Sequence, residues 1–253
     1  MNIVVPMAGR GHRFASQGFE RPKPLIDIEG RPMYSIATRS LPLELATRLV
    51  FVCLQEHLDR YELGADIEAR FADHPVSVCA VPEVTEGQLC TVLAASDALD
   101  PTCGLAIFNA DTAVASASLG DSLARSEAGD GVDGLLGVFR APGDHWSFAQ
   151  VDADGRVVRT AEKVRISDLA TTGLYYFAST ARFVDRATQA VDANRTSGGE
   201  FYVAPLYNDF IAEGANIRVV EAEHVWPMGT PSELASTLQD PAFRRSVLEQ
   251  QPS

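Results

Sequence analysis

Residues 1–25 read MNIVVPMAGRGHRFASQGFERPKPL, and the rest of the chain is organised around them. An apolar run, Ile3, Val4 and Val5, gives way at once to Ala8, Gly9 and Gly11. Apolar residues stopped by glycine suit a buried parallel strand entering a loop. Glycines at such a turn let backbone N–H groups close on a bound oxyanion. Arg13 follows, then Lys23 set between Pro22 and Pro24. Two fixed cations beside such a loop describe a site for a polyphosphate.

Working outward, strand-like runs recur at 49–54, 76–81, 105–109 and 135–139. Segments of helical character separate the earlier ones, at 33–40, 58–71 and 87–98. Strands alternating with helices predict an α/β fold with a parallel sheet covered by helices. From Phe148 the pattern changes. Residues 148–151 and 157–160 flank Asp154-Gly155 and predict a hairpin. A strand at 172–177, helices at 180–193 and 203–213, a strand at 217–221 and a helix at 231–238 complete the chain. This predicts one domain over 1–253: a nucleotide-fold-like half to about residue 140, a mixed half over 141–235, and a C-terminal helix and tail over 236–253.

A net charge of −13 argues against a nucleic-acid partner, which needs a basic face. Small anions remain compatible with it if cations are gathered locally. Of the 21 basic residues only Lys23 and Lys163 are lysine. A compact point charge on a flexible stem differs from a planar fork, so these two positions are read as functional. No apolar run approaches the ~20 residues of a membrane span, and no basic segment precedes the first apolar run. Cys53, Cys79, Cys90 and Cys103 form no C-x-x-C pair and read as reduced packing residues of a cytoplasmic protein. The histidines are scattered, with His57 and His74 read as solvated and only His12 placed to touch a ligand.

Two further motifs carry chemistry. Residues 105–111, LAIFNAD, are an apolar strand ending in Asp111. Ligands of open α/β sheets bind beyond the C-terminal strand ends, where a carboxylate can hold Mg²⁺. Residues 85–95, TEGQLCTVLAA, enter a helix, with Thr85 as its cap and Gln88 at the third position of a capping box.

The run A-G-R-G-H-R-F followed by P-K-P-L resembles the first motif, G-x-G-x-R then P-K-P-L, of the sugar-phosphate nucleotidyltransferases, or nucleoside-diphosphate-sugar pyrophosphorylases. The resemblance implies a Rossmann-like, mixed and mostly parallel sheet sandwiched by helices, with an inserted acceptor-binding region. It implies nucleotide contacts from Ala8, Gly9, Gly11, His12, Glu86, Gly87 and Gln88. It gives Arg13 the outer phosphates of an NTP, Lys23 the α-phosphate, and Asp111 the Mg²⁺. Glu162-Lys163 resembles the family's E-K pair, in which the lysine binds the acceptor phosphate and the glutamate its hydroxyls. Thr172, Gly173 and Tyr175, with Glu200, then match the acceptor pocket.

One position departs from the family. Many relatives carry a second metal-binding Asp two residues before a Gly-Thr pair, and here that position is Pro227. Either Asp111 holds the ion mainly with phosphates and water, or another acid such as Glu223 or Glu221 substitutes. The expected activity joins an NTP, pyrimidine with CTP first, to a small phosphorylated acceptor and releases pyrophosphate, for surface-polysaccharide biosynthesis. No nucleic acid or membrane is expected as a partner, and a homo-oligomer is left open. A nucleotide-sugar-dependent glycosyltransferase of similar fold is the first rival, although Asn109-Ala110-Asp111 holds only one acid of an Asp-x-Asp motif. A lapsed nucleotide-binding regulatory module is the second.

Overall fold

The computed structural model describes residues 1–9 and 11–249. In chain order the first half comprises β1 (Asn2–Met7), α1 (His12–Ala15), β2 (Asp27–Ile28), β3 (Arg31–Pro32), α2 (Met33–Thr38), β4 (Arg48–Leu54), α3 (Gln55–Tyr61), α4 (Leu63–Arg70), β5 (Val76–Val81), α5 (Gln88–Leu93), β6 (Leu105–Ile107) and β7 (Thr112–Ala115). Then come α6 (Leu119–Glu127), β8 (Gly134–Arg140), β9 (Ser147–Val151), β10 (Val157–Glu162), β11 (Leu169–Phe177), α7 (Thr180–Asp192), α8 (Tyr207–Ala212), β12 (Ile217–Glu221), β13 (His224–Pro227), α9 (Pro231–Gln239) and α10 (Pro241–Phe243).

Among the described residues nine strands form one sheet, with β5, β4, β1 and β6 parallel. Side chains alternate along β1, so the sheet needs cover on both faces. Ile3, Val5 and Met7 join Phe51 and the α2 residues Tyr34 and Ile36 on one side. Val4 joins Val50, Val92 of α5 and Phe183 of α7 on the other. The expected helix-covered α/β sheet is present.

β11 makes the sheet mixed and carries the second half of the chain to the site. It runs antiparallel to β6, with Tyr175 opposite Ile107. Its earlier residues therefore lie beyond the C-terminal end of β6, where Asp111 emerges. The β9–β10 hairpin attaches to β11 at Phe148–Ala170, which brings the pair Ser147–Glu162 to the same end.

Three local features differ from expectation. The helix expected over 58–71 is two helices, broken at Glu62 with φ +49°. His57 is buried, because it falls on the inward side of α3 although Glu56 and Asp59 beside it are charged. Burial lowers its pKa. A two-stranded ribbon of β7 and β13 has no counterpart in the sequence reading, and it places Pro227 opposite Thr112. No helix among the described residues is long and apolar enough to cross a membrane.

Tyr207 ties the second half to the sheet. Its ring stacks on Phe177 at 4.4 Å between centroids. Its hydroxyl donates to the carbonyls of Leu135 and Tyr176, each at 2.9 Å, and is wholly buried. Tyr207→Phe leaves both buried oxygens without that donor, so urea unfolding should show a loss of about 1–3 kcal/mol. A loss below about 0.5 kcal/mol would contradict the tie.

Candidate active site

A cleft of about 800 Å³ opens at the C-terminal ends of β1 and β6. Ala8, Gly9 and His12 form part of its wall, with Lys23 and Asp111 behind them. Lys23 starts a 3₁₀ turn, Lys23–Leu25, entered through Pro22 with φ −54°. Gly11 has φ +62°, and a Cβ built there would lie 3.2 Å from the Lys23 Cβ. A side chain at 11 would therefore crowd Lys23 and strain the backbone. The Lys23 Nζ is 2.6 Å from Asp111 Oδ2, and the two side chains are 24% and 19% exposed. The first loop and the end of β6 are thereby joined by a charge pair that solvent reaches.

Arg13 is not part of this wall. It lies on α1 and is exposed. The chain turns helical immediately after Gly11, which carries position 13 out of the loop. Gly11 likewise packs behind Lys23 and does not line the cleft.

Glu86, Gly87 and Gln88 line the same cleft. Gly87 has φ +144°, and any Cβ there would overlap the backbone of Phe201. Gln88 Nε2 donates to Asn109 Oδ1 at 2.7 Å. The expected cap differs. Gly87, not Thr85, is the residue before the helix, and it has no side-chain cap. The Thr85 hydroxyl instead bonds the Gly87 carbonyl at 3.0 Å and the Thr91 hydroxyl at 2.5 Å.

Glu162, Thr172, Gly173, Tyr175 and Glu200 line the cleft as well. Glu162 accepts a hydrogen bond from Ser147, but burial dominates and pushes its carboxyl above the usual range. Burial also raises the Tyr175 phenol to about 12, and its hydroxyl lies 3.1 Å from that of Thr171. Lys163 does not line the cleft, since the backbone turns at φ +53° there. Its Nζ donates to the Tyr202 hydroxyl at 2.5 Å, and Tyr202 does line it.

Several cleft residues escaped the sequence reading: His145, Trp146, Ser147 and Tyr202. His145 and Trp146 pack at 4.5 Å between ring centroids, and the buried Trp146 Nε1 has no hydrogen-bond partner among the described residues. The sequence GDHW before a strand carries no periodicity or spacing that marks it.

The carboxylates near Asp111 also differ from expectation. Glu221 pairs with Arg140 at 3.2 Å, and Glu223 accepts from the Ala117 N–H at 3.0 Å. Pro227 lies beside Asp111, because the Met228 N–H donates to the Asp111 carbonyl at 2.8 Å. Glu233, which lines a separate depression with Trp226, Pro227 and Thr237, approaches Asp111 from across Gly229. A Cβ built at Gly229 would be 3.0 Å from Asp111 Oδ2 and 3.3 Å from Glu233 Oε2. Thr230 fixes this glutamate in the first turn of α9 by accepting from its N–H at 3.2 Å.

A family model described as nucleotidyl transferase matches residues 3–205, from β1 to the segment before α8. The chain belongs to the nucleotidyl transferase family. The nucleoside-diphosphate-sugar pyrophosphorylase from Vibrio cholerae RC9 is 28% identical, with a TM-score of 0.80 over 94% of this chain and 100% of that one. The inositol-1-phosphate CTP transferase from T. maritima shares the fold at 14% identity, with a TM-score of 0.77 over 100% of this chain and 98% of that one. No curated protein matches. The fold and the family membership make this nucleotidyltransferase an enzyme that shares its architecture with pyrophosphorylases.

Glu162 gives a test of how the site is held. Its folded-state pKa lies above the ordinary value because burial opposes the charge. The folded state therefore binds its proton more tightly, and stability falls as pH rises from the ordinary glutamate range through the raised value. Glu162→Gln should be more stable than the parent at pH 7, with the gap closing as pH falls into the ordinary carboxylate range. Thermal unfolding across that range checks it, and a variant less stable at pH 7 would contradict it.

Proposed function

We propose that the enzyme joins an NTP to a small phosphorylated acceptor and releases pyrophosphate. The observation that carries this is the composition of one cleft. Lys23 and Asp111 stand against the glycine loop on one side, and Glu162, Tyr175 and the Lys163-bearing Tyr202 stand on the other. An acceptor phosphate oxygen attacks the α-phosphorus in line, a P–O bond forms, and the bond from the α-phosphorus to the β-phosphate oxygen breaks. The electron pair leaves with pyrophosphate, so no protein nucleophile is required. The obstacle is bringing two anions together. At 4 Å each charge pair costs about 4 kcal/mol at an effective dielectric of 20, so fixed cations decide the rate.

In this reading Lys23 orients the α-phosphate, Lys163 meets the acceptor phosphate and Glu162 accepts from acceptor hydroxyls. Glu86, Gly87 and Gln88 face the base. Arg13 would reach the outer phosphates only from outside the wall. Asp111, which lines the cleft, would hold Mg²⁺, an ion that takes one or two carboxylates and completes its shell with phosphate and water. When bound, Mg²⁺ neutralises charge on the phosphates. A sugar 1-phosphate is the favoured acceptor, supported by the 28% identity to a nucleoside-diphosphate-sugar pyrophosphorylase. CTP is the favoured nucleotide, and surface-polysaccharide assembly in the cytoplasm is the favoured setting for the product, supported by the V-P-M-A-G opening.

A matrix of NTPs against phosphorylated sugars, polyols and amino-acid-like acceptors, with Mg²⁺, should give pyrophosphate for one nucleotide–acceptor pair. Lys23→Ala should then lower kcat by about 100-fold or more, since a charge-assisted contact and its transition-state share are lost together. Its circular dichroism should stay that of the parent. Near-normal turnover in this variant would reject the assignment.

A further inference from the structure

The segment Glu200-Phe201-Tyr202 crosses the cleft wall between its two halves. On the nucleotide side it is pinned by backbone. The Phe201 N–H donates to the Glu86 carbonyl at 2.9 Å, and the Leu89 N–H donates to the Phe201 carbonyl at 3.0 Å. Gly87 lies so close that no side chain fits between them. These bonds fix the height of Phe201 against the residues that face the base.

On the acceptor side the next residue takes hold of a cation. The Tyr202 hydroxyl accepts from Lys163 Nζ at 2.5 Å and donates to the Glu200 carboxylate. The same ammonium lies 4.8 Å from the centre of the Tyr202 ring. At these two distances the ammonium lies out beyond the hydroxyl and close to the ring plane, so the hydroxyl is the group that holds it. The Lys163 backbone sits in the left-handed region at φ +53°, and its N–H donates to the Trp146 carbonyl at 2.9 Å. Among the described residues no carboxylate lies within ion-pair distance of this ammonium. One of its three N–H bonds goes to Tyr202, which leaves two for an incoming anion.

We propose that Tyr202 is a positioning residue for the acceptor. It holds the Lys163 ammonium at the rim of the cleft, at a height set by the nucleotide-facing segment, so that the cation meets the acceptor phosphate. The inference rests on the proposed function and adds to it a residue acting through Lys163. Two consequences follow from the chain of contacts. Removing the hydroxyl weakens acceptor capture and leaves nucleotide capture alone, because the backbone bonds of Phe201 do not depend on it. Removing it also matters only while Lys163 is present. The hydrogen bond that Lys163 donates to Tyr202, with the nearby charges of Glu162 and Glu200, raises the Lys163 pKa above its ordinary value.

The test is a double-mutant cycle on pyrophosphate release with Tyr202→Phe, Lys163→Ala and the pair. Tyr202→Phe keeps the ring and should raise the acceptor KM about tenfold, the size of one hydrogen bond to a charged group. Its kcat and its KM for the NTP should stay within about twofold of the parent. In the Lys163→Ala background the same change should add nothing. A purely structural tyrosine would give additive effects and a higher KM for both substrates. A second readout needs no turnover. With only two lysines in the chain, ¹³C labelling of lysine Cε gives two signals, and that of Lys163 should titrate at lower pH in Tyr202→Phe. An unchanged acceptor KM, additive effects or an unmoved Lys163 signal would each overturn the role of Tyr202 while the proposed function stands. A parent enzyme that releases no pyrophosphate for any pair would overturn both.

Discussion

The ion pair between Lys23 and Asp111 is the constraint on which the site depends. It spans 88 positions in sequence and closes at 2.6 Å because two strand ends adjoin. β1 and β6 are hydrogen-bonded neighbours, so the glycine loop leaving one and the carboxylate leaving the other have to meet. Burial of β1 between two apolar layers fixes those ends. The two side chains neutralise each other where the two strand ends meet, within reach of solvent.

The second half of the chain completes the cleft through one topological choice. Because β11 runs antiparallel to β6, Thr172, Gly173 and the β9–β10 hairpin come to the strand ends where the glycine loop lies. Charge is distributed accordingly. A molecule with net charge −13 places one lysine on the cleft wall and ties the other to Tyr202, which lines it. The carboxylate Glu162 is kept half-buried against the preference of its own ionisation, which is what a group reserved for acceptor hydroxyls would cost.

Much of this was legible in the sequence, for reasons that differ by element. β1, β4 and β8 are built on apolar runs, and such runs in buried strands leave little choice. The glycine loop, Lys23, Asp111 and Glu162 were legible because motif and strand end coincide. The β7–β13 ribbon was not, since Thr-Ala-Val-Ala is short and made mostly of small residues. Its partner lies more than a hundred residues away, so pairing alone creates it. Arg13 and Lys163 were misplaced relative to the wall because one backbone turn decides a side chain's direction, and spacing does not encode that turn. Glu233 escaped notice because it serves as an ordinary capping-box residue of α9 as well as a neighbour of Asp111. Trp146 and Tyr202 reach the cleft from loops, where no periodicity marks a residue as inward-facing.

The most direct test is a crystal structure with Mg²⁺ and a non-hydrolysable NTP. It should show the triphosphate in the cleft below the glycine loop, with Lys23 Nζ moved from Asp111 to an α-phosphate oxygen and Asp111 facing the metal. The face toward Glu162 and Tyr202 should stay open for the second anion. A triphosphate bound elsewhere, with the Lys23–Asp111 pair intact, would contradict the assignment of this cleft.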